Sequence, residues 1–317
     1  MTTTPILEIK GHAKDLGGGF VVSRLLPAVQ RKAVGPFVFF DHFGPVTVAP
    51  DSNFDVRPHP HIGLATVTYL FSGAMMHRDS LGSVRQIEPG AINWMTAGRG
   101  IVHSERRPAS LAGRAYLNHG IQLWAALPLA HEEAEPSFVH TPSADIPQVR
   151  VGGAGHEATV RVLIGTAFGA TSPVATYSPT LYLDVQLPAG AALEVPALAQ
   201  ELAVYALDNP VQLNGESLGA QRLGVVETGQ GLRLAAPADA GARLIVIGGD
   251  ALDGPRHIWW NFVSSSKERI AKGADAWEAQ TMGQVPGETE FIPLPERRFK
   301  PDVKPDVKPG GPDAPFL

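Results

Sequence analysis

A chain of 317 residues with 44% hydrophobic and 18% charged residues is globular in composition and long enough for two domains, each with its own core. Its 34 glycines and 28 prolines favour short strands and turns over long helices, and its formal net charge of −5 gives no electrostatic pull toward nucleic acid or an anionic membrane. The absence of cysteine excludes disulfides, thiolate metal sites and cysteine nucleophiles, so any bound metal needs nitrogen and oxygen ligands.

The opening MTTTPILEIKGH has neither a basic n-region nor an apolar h-region, and no apolar run approaches a membrane-spanning length; a soluble, cytoplasmic protein is expected. Alternating apolar and polar residues between Gly/Pro clusters predict strands at 37–43, 65–71, 101–105 and 120–124. Arg99, Arg106, Arg107 and Arg114 form a local basic stretch that reads as solvated loop arginines. Pro136, Pro142 and Pro147 mark a break, after which strands are expected at 160–164, 181–187, 202–207 and 243–247. Asn214-Gly215 between alternating flanks predicts a hairpin over 211–218. A Ser-rich entry, charged Lys267, Glu268 and Arg269, and apolar Ile270, Ala274 and Trp277 at helical spacing predict one amphipathic helix over 264–277, capping the second barrel. From 293 the chain is rich in proline and charge and repeats Pro-Asp-Val-Lys at 301–304 and 305–308, the composition of a disordered or extended tail. The expected organisation is therefore all-β, with domains at 1–137 and 138–292 and a tail at 293–317.

The histidines are unevenly placed. Of eleven, eight lie between His42 and His140, and none lies between His156 and His257. His59-Pro60-His61 sets two imidazoles at i and i+2, which on a strand share one face about 7 Å apart. Continuing that parity gives Ala65, Val67, Tyr69 and Phe71, an apolar series that, absent a bulge, puts both imidazoles in a barrel lumen. His103-Ser104-Glu105 repeats the spacing with a carboxylate. Three imidazoles and one carboxylate suit a borderline divalent ion and leave coordination positions open. The bland alternative for Glu105 is a surface pair with Arg106 or Arg107. Asp41 and His42 are pocket candidates set against a turn-forming reading, and Gln122 is a pocket candidate whose facing alternation leaves open. His77, His119, His131 and His140 carry no paired partner and read as ordinary surface or hydrogen-bonded histidines, and Trp94 and Met95 read as core. The second half lacks paired-ligand spacing and is expected to form a barrel without metal.

These residues resemble a known family. His59-Pro60-His61-Ile62-Gly63, Pro89-Gly90, Trp94-Met95-Thr96-Ala97-Gly98-Arg99-Gly100-Ile101 and His103-Ser104-Glu105 resemble the pirin signature, and the likeness runs from the segment Pro36 to Gly44, which contains Asp41-His42-Phe43, to the segment Trp259 to Ser266. The resemblance implies a bicupin, two jelly-roll β-barrels with a short C-terminal helix. It also implies one divalent ion in the first barrel, Fe(II) foremost with Mn, Co, Ni, Cu or Zn compatible, on His59, His61, His103 and Glu105. Two activities follow from it as expectations. One is dioxygenation of a flavonol such as quercetin, with Glu105 as base and O2 as co-substrate. The other is a non-enzymatic, iron-dependent regulator binding a protein partner, NF-kappaB in eukaryotes or a metabolic enzyme such as pyruvate dehydrogenase in bacteria. Some members carry Arg-Gly-Phe-Glu-Thr after the second histidine where this chain has Ile62-Gly63-Leu64-Ala65-Thr66, so the surroundings here are more apolar and partner properties of charged members do not transfer directly.

Overall fold

A computed structural model describes residues 6–296 apart from 17, 18, 53 and 154. The chain folds into two antiparallel barrels, each made of one large and one small sheet. In the first, the large sheet runs in the order Ser137–Thr141, Ile92–Thr96, Leu64–Ser72, Tyr116–Ala126, Phe37–Val48, Val21–Leu26, His12–Asp15. The small sheet runs Val56–His61, Ile101–Arg106, Met75–Asp79, Val84–Ile87. In the second barrel the large sheet contains Arg222–Val225, Glu201–Ala206, Ala242–Gly249, Thr180–Leu187, Ala158–Ile164 and Gln148–Val151. Its other edge strand is Leu7–Lys10, which pairs with Arg222–Val225 and so ties the N-terminal segment to the second barrel. All eight strands expected from alternation are present, and the hairpin closes through Asn214 and Gly215, both at positive φ. The tail beyond 296 lies outside the described residues.

The two large sheets pack face to face, and this explains runs such as Phe37-Val38-Phe39-Phe40: a strand buried on both faces need not alternate. Phe37, Phe40, Val67, Tyr69, Ile121 and Leu123 from the first sheet meet Tyr182, Tyr205, Ile245 and Ile247 from the second. At about 1.5–3 kcal/mol for each large apolar side chain removed from water, this layer is a major source of stability. Several polar groups inside it are paired, although the buried Tyr182 hydroxyl has no partner among the described residues. Tyr69 donates its hydroxyl to Asp184 at 2.7 Å, Asp184 also accepts from Arg243 at 2.9 and 2.6 Å, and Tyr205 Oη lies 2.8 Å from His42 Nδ1. The lumen of the second barrel is filled with aliphatic side chains, among them Val160, Leu183, Leu202, Leu213 and Leu234.

The structure corrects the expected strand parity. Ala65, Val67 and Tyr69 belong to the layer between barrels, not to the lumen that holds His59 and His61. The reason is Gly63, at φ 70°, where the chain leaves the small sheet and enters the large one; a Cβ there would lie 1.9 Å from the Val263 carbonyl oxygen. Thr66 and Thr68 therefore share a strand face with Leu64 and Leu70, opposite to Val67.

The helix forms at Lys267–Glu278, with the Ser266 hydroxyl accepting from the Arg269 amide at 3.2 Å. It caps the first barrel, contrary to expectation. The hairpin of His257–Trp259 and Phe262–Ser264 returns to the first barrel, where Phe262 forms a parallel bridge with Ile62; Ile270 and Trp277 then pack with Ile62, Val102 and Phe262. Further on, the Ile292 amide donates to the Pro58 carbonyl at 2.8 Å. No helix among the described residues is long and apolar enough to cross a membrane.

Candidate metal centre

Val56–His61 is the edge strand of the small sheet, which is why it accommodates Pro58 and Pro60. It pairs antiparallel with Ile101–Arg106, setting His103 directly opposite His59 and Ile101 opposite His61. Alternation points His59, His61 and His103 to one side. Their ring centroids are 4.3–5.0 Å apart, and one ligand nitrogen from each lies within 4.8 Å of the others. All three are buried, His61 and His103 almost completely, at 1% and 2% exposure.

Hydrogen bonds set the ring states. His59 Nδ1 lies 2.9 Å from the Arg57 carbonyl oxygen and His61 Nδ1 3.0 Å from that of Asn261. A carbonyl only accepts, so each Nδ1 carries the proton and each Nε2 presents a lone pair. Neither nitrogen of buried His103 has a partner among the described residues. Buried polar atoms are nearly always paired, and an ion held by the three imidazoles would give His103 a partner that it lacks. Burial pulls His59 down to about 4, and takes His61 and His103 well below the ordinary histidine value. The imidazoles are therefore neutral at pH 7, which is the ligating form.

Glu105 lines the same cavity, but its carboxylate is not part of the 4.8 Å cluster. Its neighbours on the strand, Ser104 and Arg106, point away and both donate to Glu288, and this anchors Glu105 toward the lumen. Neither Arg106 nor Arg107 pairs with it: Arg106 is held by Glu288 and Glu290, and Arg107 by the carbonyls of Ala49, Pro50 and Ser52. The reading of these two as solvated loop arginines is thus corrected. Burial pushes the Glu105 carboxyl up to about 7.

The histidines open into a cavity of about 670 Å³. Its wall includes Phe39 and Trp124, stacked at 3.9 Å, with Trp124 edge-on to His61. Asp41 and Gln122 also line it, whereas His42 lies on a strand, not in a turn, and faces the second barrel. Trp94 and Met95 are core. His77 is of the hydrogen-bonded kind expected for it, but its place beside the histidine cluster was not foreseen. It is buried, hydrogen-bonded to Asp79 at 2.9 Å, stacked on Phe138, and 5.4 Å from the His103 ring. The signal was available, because His77-Arg78-Asp79 has the same i, i+2 spacing as His59/His61 and His103/Glu105. His119 and His140 are hydrogen-bonded to His42 and Asn93.

Two packed antiparallel barrels with a histidine cluster in the lumen of one define a bicupin. The comparisons agree: residues 19–125 match the Pirin family and residues 182–283 the Pirin C-terminal cupin domain. A pirin-like protein of Caulobacter vibrioides is 43% identical over 92% of this chain and 99% of its own length. A Pseudomonas aeruginosa protein provisionally named quercetin 2,3-dioxygenase is 38% identical over 86% of this chain and 83% of its own. The crystal structure of quercetin 2,3-dioxygenase from Acinetobacter baumannii superposes with a TM-score of 0.84 at 33% identity, covering 93% of this chain and 96% of that one. The chain belongs to the pirin family.

Proposed function

We propose that this pirin is a metal-dependent flavonol dioxygenase of the quercetinase type, with His59, His61, His103 and Glu105 holding one divalent ion, Fe(II) before Mn, Co, Ni, Cu or Zn. The observation that carries the proposal is His103, a buried imidazole without a hydrogen-bond partner, set among two others whose lone pairs are already directed by backbone carbonyls. The 33% identity to a quercetin 2,3-dioxygenase supports the substrate class.

A bound divalent ion would supply Lewis acidity and open positions for substrate and O2. The chain's own groups do the rest. Glu105, whose strand aims its carboxylate into the same cavity, is the group placed to take the proton of the flavonol 3-hydroxyl. Phe39 and Trp124 offer an aromatic surface beside His61 for a planar ring system. In the overall reaction both atoms of O2 enter the product, the central ring opens and carbon monoxide leaves. The test is oxygen uptake by anaerobically iron-loaded protein on addition of quercetin. Glu105→Gln is expected to lower the rate on the order of 10²-fold or more at matched metal content. Iron-replete wild type that consumes no oxygen with any flavonol would overturn the proposal.

A further inference from the structure

The cavity wall beside the histidines changes character with distance from them. Strand Tyr116–Ala126 places Trp124 with its ring centroid 5.1 Å from that of His61, and Phe39 is paired with Trp124 across the neighbouring strand. Two residues along the same face, about 7 Å of strand, the paired positions are Gln122 and Asp41, and Arg24 is in register with Asp41 on the next strand. All five line the cavity. The wall is thus aromatic next to the histidines and polar one rung further out.

Hydrogen bonds within that rung leave donors over. Arg24 uses Nε and Nη2 on the two oxygens of Asp41, at 2.8 and 2.7 Å, while its guanidinium lies 4.3 Å over the Phe39 ring. Its Nη1 has no partner among the described residues. Gln122 accepts the Thr68 hydroxyl on Oε1 at 2.8 Å, and its amide nitrogen likewise has no partner among the described residues. Both Asp41 oxygens already accept from Arg24, so what the rung offers a ligand is chiefly N–H donors.

We infer that Gln122 and Arg24 form a donor pair that selects, among planar aromatic ligands reaching the histidines, those bearing hydroxyl, phenolate or carbonyl oxygens at the end far from the metal-binding group. This specifies the substrate class as polyhydroxylated flavonols and rests on the dioxygenase reading of the site. Phe39 and Trp124 provide stacking for any flavonol; the half-buried donors discriminate among them, because a donor that a ligand covers without matching loses its water and disfavours binding.

The test uses Zn(II)-loaded protein, so that binding is read without oxygen chemistry. Quercetin and 3-hydroxyflavone, which lacks the hydroxyls on the flanking rings, are titrated against it by absorbance. Wild type is expected to bind quercetin about 10-fold more tightly. Gln122→Met should bring that ratio close to one while 3-hydroxyflavone affinity stays within about twofold, and Arg24→Lys should reduce the ratio in the same direction. Gln122→Glu keeps the oxygen that Thr68 donates to and loses the amide donor, so it tests the same point should the methionine variant fold poorly. An unchanged quercetin preference in Gln122→Glu and Arg24→Lys overturns the inference and leaves the dioxygenase reading standing. Zinc-loaded protein that binds neither flavonol overturns both.

Discussion

His61 donates its Nδ1 proton to the carbonyl of Asn261, 3.0 Å away in space and 200 residues on in the chain. A proposed metal ligand of the first barrel is thus oriented by the hairpin that follows the second. The hairpin is held by Phe262, fully buried against Ile62, Ile270 and Trp277. Phe262→Ala is expected to destabilise the protein by about 3–5 kcal/mol. Through Asn261 it should also weaken metal binding by about 10-fold or more, measured by competition with a chelator under conditions where the variant is folded. Wild-type metal affinity in a folded Phe262→Ala protein would show that Asn261 does not position His61.

The apoprotein should lose stability on acidification. Burial lowers His42 to about 3 and both His59 and His119 to about 4, against an ordinary value of 6.5. Between those limits the unfolded chain binds more protons than the folded one, so stability rises with pH across the window and falls as pH drops from about 6.5 toward 4. Glu105, raised to about 7, and Asp41, also raised by burial, act in the opposite direction, but they are two groups against several histidines. Urea midpoints of metal-free protein are therefore expected to be lower at pH 5 than at pH 7.

The pairing of Asp184 with Arg243 and Tyr69 belongs to the layer between barrels, on the side of the large sheet away from the cavity. Asp184 is fully buried, and its removal leaves the Tyr69 hydroxyl and the Arg243 guanidinium without their shared acceptor. Asp184→Ala is expected to cost about 3–5 kcal/mol in denaturant unfolding and to leave the amount of metal bound per folded chain unchanged. Metal loss in step with the stability loss would place this pair in the site's support.

Much of the fold was legible because antiparallel strands with Gly/Pro turns write their period into the sequence, and the meeting of His59, His61 and His103 was legible because a strand brings i and i+2 to one face. What was not legible followed from facts of tertiary pairing. Alternation identifies the two faces of a strand but not which sheet it joins, so the switch at Gly63 reversed the faces assigned to Ala65, Val67 and Tyr69. The helix pattern of Ile270, Ala274 and Trp277 showed an apolar stripe but not its partner, which the Ile62–Phe262 bridge decides. His77 looked ordinary because its neighbour to His103 comes from an adjacent strand.

Metal stoichiometry tests the central claim most directly. Protein loaded anaerobically with Fe(II), freed of excess ion and analysed for metal should hold about one ion per chain, and the His59→Ala, His61→Ala double variant should hold far less under the same conditions. Wild-type protein that retains no metal, or a folded double variant that binds one ion with wild-type affinity, would contradict the assignment of His59, His61 and His103 as the metal site.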